Sequence, residues 1–397
     1  MRNPSRRTFI HTGLLAGAGL AVAACNRDGG NGNSDAPTNQ AGETPQPDYP
    51  PRLDIRGTVI GGGAGSDGQF FVGIIDLDQD KPTALHMEEI GFLAHGFTPR
   101  LDRPHVVMVT EKHGKGCLEI DLKARKILRR VETVAGREFY GHSAFSPDGK
   151  LWYATEADIG DGSYTGVLAV RDADSMDLRE EDFPTHGIAP HDCILIDDGD
   201  TLVITNGGGP IHATDEPAGV AYVNVKTGEA RRVLKFKTDR INAGHIAMSS
   251  KGELVCVSAP RDGIENSSDD WLGAISFYHP DQDRLITADD PIRAKMKGET
   301  LSVAFDEKTR VVAATNPAGH IITFWDFDTG KLIKSMEEFK SPRGVSLTLD
   351  GKQFVVTHDI KTHMSLIDAD SLEPQSKPII DTSYISGSHN FVFNLPA

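Results

Sequence analysis

The sequence has little cysteine, no long hydrophobic run and no sustained helical period. It contains four cysteines in 397 residues. Cys117, Cys193 and Cys256, which follow Cys25, are an odd number and each lies in an apolar, strand-like stretch. This predicts small buried core residues rather than a disulfide framework. Because residues 54–397 lack a helical repeat of hydrophobic side chains, they are predicted to form an all-β domain.

Basic residues are also scarce relative to acidic ones. The chain has 57 acidic and 41 basic residues, for a formal net charge of −16. Three of the basic residues, Arg2, Arg6 and Arg7, lie in an N-terminal segment that resembles an export signal. The negative charge argues against nucleic acid, or direct adhesion to anionic lipid, as a partner. It mildly favours cationic ligands.

Seven segments repeat one pattern at spacings of 47, 49, 54, 57, 42 and 45 residues. Their first residues are His95, His142, His191, His245, Ser302, Gly344 and His389. In each repeat, β-branched runs alternate with turns rich in Gly, Asp and Pro, which predicts four strands, A to D. This period and strand content predict a seven-bladed β-propeller of the WD40 or YVTN type over residues 54–397.

The two ends of the predicted domain complement each other. Residues 56–90 supply strands B to D of a blade without an innermost strand, and residues 389–393 supply an innermost strand without its blade. Pairing them would close the ring and remove two exposed sheet edges.

The N-terminus is predicted to be an export signal. Residues 5–9 (Ser-Arg-Arg-Thr-Phe) precede an apolar, glycine-rich stretch, the pattern of twin-arginine export signals. That stretch is too short for a membrane span. Residues 22–25 (Val-Ala-Ala-Cys) resemble a lipobox, so residues 1–25 are predicted to be a lipoprotein signal peptide with lipidation at Cys25. The alternative is ordinary cleavage after Ala23.

Residues 26–53 contain almost no apolar side chains and are predicted to be a disordered tether. The propeller is therefore expected in the periplasm, anchored to a membrane by lipid.

A closed ring would bring the repeated histidines together. The starts of the innermost strands surround one end of the propeller axis, which we call the top face. Imidazole is the commonest protein ligand for zinc, copper and similar metals. We therefore predict a transition-metal site (zinc, copper or iron) at this face. The first ligands expected are His142, His191 and His245, followed by His95 and His389.

Other residues near this face are assigned supporting roles. Further ligands or ligand-orienting groups are expected among His186, Glu156, His212, Asp158, Asp192 and His358. Cys193 lies two residues after His191 and is read as core in preference to a thiolate ligand. An alternative interpretation makes every repeated histidine a structural packing residue.

Several phrases resemble one family. They are residues 139–149 (Phe-Tyr-Gly-His-Ser-Ala-Phe-Ser-Pro-Asp-Gly), 153–158, 185–192 (Thr-His-Gly-Ile-Ala-Pro-His-Asp) and 202–208. They are similar to phrases of a largely uncharacterised family of twin-arginine-exported bacterial propeller proteins, often encoded beside periplasmic iron-uptake and imelysin-like proteins. The resemblance covers most of the propeller and implies periplasmic work near metal acquisition.

The family pattern marks His142, Glu156, His186 and His191. The sequence departs from that pattern after Gly208, where a shortened loop replaces the longer one usual in the family.

Three functions follow as hypotheses. The favoured one is a non-enzymatic protein that binds a metal for acquisition or delivery, with periplasmic metal-uptake proteins as partners. The second is a metal-dependent enzyme that uses copper, iron or zinc. The third is an interaction scaffold with structural histidines. Ligation needs neutral imidazole, so metal affinity is expected to fall below about pH 6.

Overall fold

The computed structural model describes residues 49–87, 90–179, 182–196, 199–264 and 271–395. The predicted signal peptide, Cys25 and most of the predicted tether lie outside these residues. Within them, the one helical segment is a short 3-10 helix, Pro291–Lys295. No helix of this part of the chain is long and apolar enough to cross a membrane.

Twenty-eight strands account for the rest of the regular structure. The first fourteen are β1 Thr58–Ala64, β2 Phe70–Asp76, β3 Ala84–Met87, β4 Gly96–Pro99, β5 Val106–Thr110, β6 Lys112–Gly114, β7 Cys117–Asp121, β8 Lys126–Arg130, β9 Arg137–Phe145, β10 Leu151–Asp158, β11 Thr165–Asp172, β12 Phe183–Ile188, β13 Pro190–Leu195 and β14 Thr201–Asn206. The others are β15 Gly219–Asn224, β16 Ala230–Lys235, β17 Ile246–Met248, β18 Leu254–Ser258, β19 Ala274–Tyr278, β20 Ile286–Thr287, β21 Ser302–Asp306, β22 Val311–Asn316, β23 Ile321–Asp326, β24 Lys331–Met336, β25 Val345–Leu347, β26 Gln353–His358, β27 His363–Asp368 and β28 Phe391–Phe393.

The strands form seven antiparallel sheets, the blades of a seven-bladed β-propeller. Blade 1 has the order β28-β1-β2-β3, and blade 2 has β4-β5-β7-β8. Blade 3 contains β9 to β12 and gains β6, which leaves blade 2 to pair with β9. Blades 4, 5 and 6 contain β13 to β16, β17 to β20 and β21 to β24, and blade 7 contains β25 to β27. The predicted fold class and blade count are confirmed.

The ring closes as the sequence predicted. The C-terminal strand β28 pairs with β1, with Thr58 opposite Phe393 and Ile60 opposite Phe391. The last strand of the chain is thus the innermost strand of the first blade. Backbone pairing of β28 with β1 and buried side chains of blades 1, 2 and 7 hold this junction together.

Packing between blades explains the hydrophobic pattern of the strands. The second strand of a blade, such as β5 or β18, is buried at every residue because a neighbouring blade covers each of its two faces. The sequence of such a strand is therefore an uninterrupted apolar run. The outermost strand β8 alternates between exposed and half-buried residues. The three cysteines predicted to be core residues are free and buried, in β7, β13 and β18, which confirms that prediction.

The last five residues of the predicted tether lie against the propeller. The ammonium of Lys251 lies 4.2 Å from the ring centroid of Tyr49. Arg52 pairs with Asp306, and the amide of Leu53 donates to the carbonyl of Leu349 at 3.1 Å. Lys251 and Leu349 belong to turns that follow the innermost strands. The N-terminal arm therefore meets the bottom face, opposite the starts of those strands.

Truncation of Phe391 tests the closure. Its side chain has no exposed surface and packs in the core between blades 1 and 2. Phe391→Ala is expected to lower the free energy of unfolding by about 3–5 kcal/mol, because a large buried ring is lost at an uncrosslinked junction. Urea unfolding measures the loss. The control Ile360→Ala, at a side chain 95% exposed, should change stability by less than about 0.5 kcal/mol. Equal losses of stability in the two variants would contradict the role of Phe391 in closing the ring.

Candidate metal centre

Five histidines meet at the top of the propeller axis. His142 and His191 lie in β9 and β13, while His95, His245 and His389 lie just before the innermost strands of their blades. All five side chains are buried, with 1–4% of their surface exposed. Blades 6 and 7 contribute Ser302 and Gly344 at the matching repeat positions, so the histidines form an incomplete ring. We call these five residues the histidine ring.

Hydroxyl groups on the second strands hold the starts of the innermost strands. The hydroxyl of Thr155 donates to the carbonyl of His142 at 2.9 Å and accepts from its amide at 3.2 Å. Thr205 accepts from the amide of Asp192 at 2.8 Å, and Thr357 accepts from that of Gly344 at 3.1 Å. The sequence analysis missed these threonines, although a threonine or serine recurs near the end of the second strand in blades 2 to 7.

Gly141 leaves the space that two of the rings occupy. Its φ of +128° lies in a region that L side chains rarely adopt. A Cβ atom at this position would lie 2.9 Å from Nδ1 of His191 and 3.0 Å from Cδ2 of His95. A side chain here would therefore displace both imidazoles. The glycine of the Tyr-Gly-His phrase has a steric role that the sequence analysis did not identify.

The rings are close enough to share one ion. Centroids are 4.2 Å apart for His191 and His245, and 5.0 Å apart for His95 and His142. One nitrogen from each of these four residues lies within 4.8 Å of the others. Four nitrogens around a tetrahedral zinc ion would lie about 3.4 Å apart, given Zn–N bonds of about 2.0–2.1 Å. The four nitrogens must therefore draw closer together than they lie in this structure to share one tetrahedral ion.

His389 completes the cluster as a fifth ring. Its centroid is 4.8 Å from that of His245 and 4.9 Å from that of His95. The predicted set His142, His191, His245, His95 and His389 is thus brought together by the fold. The four-histidine group is the part with mutual ligand spacing, and His389 lies beside it.

Backbone carbonyls select the tautomers of two rings. Nδ1 of His191 lies 2.9 Å from the carbonyl oxygen of Tyr140, and Nδ1 of His245 lies 3.0 Å from that of Leu301. A carbonyl only accepts, so each Nδ1 carries the proton and donates it. Each Nε2 then carries the lone pair. This outer hydrogen bond is typical of metal-binding histidines.

Other ring nitrogens have no hydrogen-bond partner despite being buried. They are Nε2 of His95 and both ring nitrogens of His142 and His389. A buried polar atom without a partner usually costs about 1–3 kcal/mol. Several such atoms at one point are compatible with a site that could hold a ligand.

The surroundings keep the imidazoles neutral. Burial is the main cause that lowers the pKa of His142 to about 3, and the nearby Lys112 lowers it further. Burial likewise lowers the pKa values of His95, His191 and His389 well below 6.5, with neighbouring cationic groups adding to the effect. The expected loss of metal affinity below pH 6 assumed an ordinary histidine pKa. In this site, competition by protons for the imidazole lone pairs begins at lower pH.

Asp192 provides a carboxylate behind the ring. One of its oxygens accepts from the amide of Ile246 at 3.0 Å, and the other lies 3.6 Å from Nδ1 of His142 without a hydrogen-bond partner. Burial raises the pKa of Asp192 well above its ordinary value, while backbone amides and Lys112 oppose this rise. A cation at the histidine ring would favour the ionised carboxylate, which fits the predicted orienting role.

The entrance to the ring is small. Lys112, His113, Tyr140, His191 and Asp262 contribute to a cavity of about 50 Å³ at the top face. A larger cavity of about 470 Å³ lies elsewhere, beside the turn of Pro147 and Asp148 after β9. Of the histidine ring, His191 lines the smaller cavity, which has room for one or two small molecules.

Glu156 lies outside the histidine ring. It is fully buried, with Arg171 at 3.1 Å and Arg137 at 3.9 Å from its carboxylate oxygens. Arg137 also pairs with Asp182 at 2.5 Å. This ion-pair network occupies the carboxylate that the sequence placed near the metal. The structure thus gives Glu156 a role in holding blade 3 together.

The remaining predicted residues also lie outside the four-histidine group. His186 lies in β12, where its Nε2 is 2.7 Å from the carbonyl oxygen of Gly228. His358 contacts the hydroxyl of Ser365 at 2.9 Å. His212 lies on an exposed loop, and Asp158 ends β10 and accepts from the amide of Gly160. Of the supporting residues, Asp192 alone lies near a ring nitrogen in the structure as described.

A second group with ligand spacing contains Glu253, His279 and Asp328. It is less deeply buried, and the guanidinium of Arg310 already pairs with both carboxylates at 2.7 Å. Because Arg310 already neutralises the two carboxylates, this group is a surface ion-pair network.

Comparisons with known proteins agree with the fold. A family model described as "Protein of unknown function (DUF1513)" matches residues 89–381. No curated protein matches the sequence. The structure resembles Kuenenia stuttgartiensis hydrazine synthase, with 14% identity, a TM-score of 0.61 and coverage of 80% of this chain and 97% of that one. It also resembles the Cps50 (Swd1) β-propeller domain of Myceliophteria thermophila, with 15% identity, a TM-score of 0.53 and coverage of 76% and 90%. At these identities the likeness shows the fold alone.

Acid is expected to destabilise the metal-free protein. The pKa values of His95, His142, His191 and His389 are lower in the folded than in the unfolded chain, so unfolding takes up protons below about pH 6.5. Their stabilising contribution is full above that pH and is lost as pH falls toward the folded values. Each histidine adds up to about 1.4 kcal/mol per pH unit to the slope of the free energy of unfolding against pH. Asp192, whose pKa is raised in the folded chain, contributes a slope of the opposite sign.

Urea unfolding between pH 7.5 and 5 measures this slope. His389→Leu should reduce it, whereas Ile360→Ala, at an exposed side chain that does not titrate, should leave it unchanged. A stability that does not change over this range would contradict neutral burial of the ring.

Proposed function

The chain belongs to the family described as "Protein of unknown function (DUF1513)", and we propose that it is a periplasmic, lipid-anchored propeller that binds a transition-metal ion. The ion binds in the histidine ring, and the protein serves metal acquisition or delivery. Binding rather than turnover is the activity proposed.

One observation carries this proposal: buried imidazoles converge with unpartnered nitrogens facing a shared point. Four of them have mutual ligand spacing, and His95 and His142 hold nitrogens without any hydrogen-bond partner. A structural histidine would normally satisfy both ring nitrogens when buried. A metal ion would satisfy several of these nitrogens at once.

The donor set favours a borderline transition metal. Four neutral nitrogens suit zinc, copper and iron, while calcium and magnesium prefer oxygen ligands. Cys193, two residues after His191, is fully buried, and burial raises the pKa of its thiol well above the ordinary value. Burial therefore disfavours a thiolate ligand, and the proposed ligands are the imidazoles.

The proposed location rests on the N-terminal sequence. The twin-arginine pattern and the lipobox ending at Cys25 support export and lipid attachment. The family resemblance of the Tyr-Gly-His and Pro-His phrases supports periplasmic work near iron uptake, with metal-uptake proteins as partners. Tyr49 and Arg52 contact the bottom face, opposite the histidine ring.

The size of the entrance favours binding over catalysis. Substrate pockets commonly have volumes of about 300–1,000 Å³, whereas the cavity beside His191 has about 50 Å³. A metal ion and one or two small molecules fit there. The alternative, a metal-dependent enzyme, would be limited to substrates of a few atoms at this site.

Elemental analysis of the untagged protein tests the proposal. We expect close to one equivalent of zinc, copper or iron after purification or after exposure to each ion. A His142→Ala/His191→Ala double variant should lose most of it, because two of four adjacent ligands are gone.

The matched control removes two histidines that lie outside the ring. His186→Ala/His358→Ala should retain the metal of the unaltered protein, which separates ring ligation from general histidine content. Folding of all variants is checked by circular dichroism. Metal-free protein under every loading condition, or equal loss in both double variants, would overturn the proposal.

Replacing Asp192 tests its orienting role. Asp192→Asn keeps the size of the side chain and an oxygen able to accept from Ile246, but removes the negative charge near His142. Metal affinity is expected to fall about 10-fold or more, as for other groups that hold ligating histidines. A chelator competition titration measures the change. Unaltered affinity in a folded variant would show that the carboxylate does not support the site.

A further inference from the structure

Strand β6 carries a lysine into the mouth of the histidine ring. This short strand leaves blade 2 and pairs with β9 of blade 3, where Lys112 lies opposite Tyr140. Tyr140 is two residues before His142, so the pairing fixes the lysine backbone beside the site. The ammonium nitrogen of Lys112 lies 3.2 Å from Nε2 of His191.

This contact uses the lone pair that a metal requires. Because Nδ1 of His191 donates to the carbonyl of Tyr140, Nε2 is the acceptor nitrogen. An ammonium only donates, so Lys112 donates to Nε2 of His191. One imidazole lone pair cannot bind an ammonium proton and a metal ion together. Metal ligation by His191 therefore requires that Lys112 moves.

Carboxylates near the mouth give the ammonium other attractive partners. Asp262 lines the same entrance as Lys112. Asp262, Glu299 and Asp192 all favour the charged form of Lys112, although burial lowers the pKa of this lysine to about 8. The side chain is long and has several rotatable bonds, so its charged end can leave His191 while its backbone stays paired.

We propose that Lys112 is a resident cation that competes with the metal for His191 and must swing toward the acidic mouth when metal binds. Its positive charge near the ring lowers metal affinity and promotes release, as a delivery protein requires. This inference rests on the proposed function, since it assigns a regulatory residue to the same metal site.

Neutralising Lys112 tests the competition. Lys112→Leu removes the ammonium without adding a metal ligand, and we expect it to raise zinc affinity by about 10-fold or more, as two charges a few ångströms apart interact strongly near a protein surface. Lys112→Arg keeps the charge and should bind zinc no more tightly than the unaltered protein. Chelator competition titrations with zinc, repeated with cobalt for its absorption spectrum, measure these affinities.

Lys115→Leu serves as the matched control. Lys115 is exposed and lies just after β6, three residues beyond Lys112. Its removal should change zinc affinity less than about two-fold, as expected for an exposed charge screened by salt. If the unaltered protein binds zinc and Lys112→Leu binds it equally or more weakly, the competition proposal is overturned while the metal site stands. If neither binds any metal, the proposed function itself fails, and the role of Lys112 fails with it.

Discussion

The closed ring is the constraint on which the rest of this structure depends. Seven sheets packed face to face leave one axis, and every innermost strand must begin beside it. A residue repeated at that position is brought to one point from segments as distant as His95 and His389. The antiparallel pairing of β28 with β1 makes this possible, since it places the last repeat beside the first. The histidine ring is a consequence of closure, with no local sequence motif behind it.

Closure alone would not make the site, because five bulky rings must also be held neutral and oriented. Threonine hydroxyls on the second strands hold the backbone of His142 and its counterparts, while Gly141 leaves room for two imidazoles. Burial then disfavours protonation, so the lone pairs stay available for a ligand. The same burial leaves polar atoms unsatisfied, at a cost in folding stability that a bound cation would offset.

Charge around the ring is balanced between holding and releasing an ion. Asp192 lies behind His142 as a buried carboxylate, and the ammonium of Lys112 contacts His191. The first would favour a bound cation, and the second, in the role proposed for it, would oppose one. A site for permanent structural metal would gain nothing from the lysine, whereas a carrier needs an ion that can leave. The small entrance agrees with this role, as it admits an ion more readily than an organic substrate.

The repeat spacing by itself determined the seven blades, the mode of closure and the five histidines, because a period in the sequence maps directly onto a rotation about the axis. The odd number and apolar surroundings of Cys117, Cys193 and Cys256 identified them as buried and unpaired. Which acidic and basic groups join the histidines was decided only by the tertiary structure. Glu156 and His186 are close in sequence to histidines of the ring. In the structure, however, Glu156 pairs with an arginine and His186 contacts a backbone carbonyl, both outside the ring. Lys112 reaches the site because β6 pairs with a strand of the next blade. This pairing does not follow the repeat of the sequence, so the repeat could not predict the side-chain contacts that result from it.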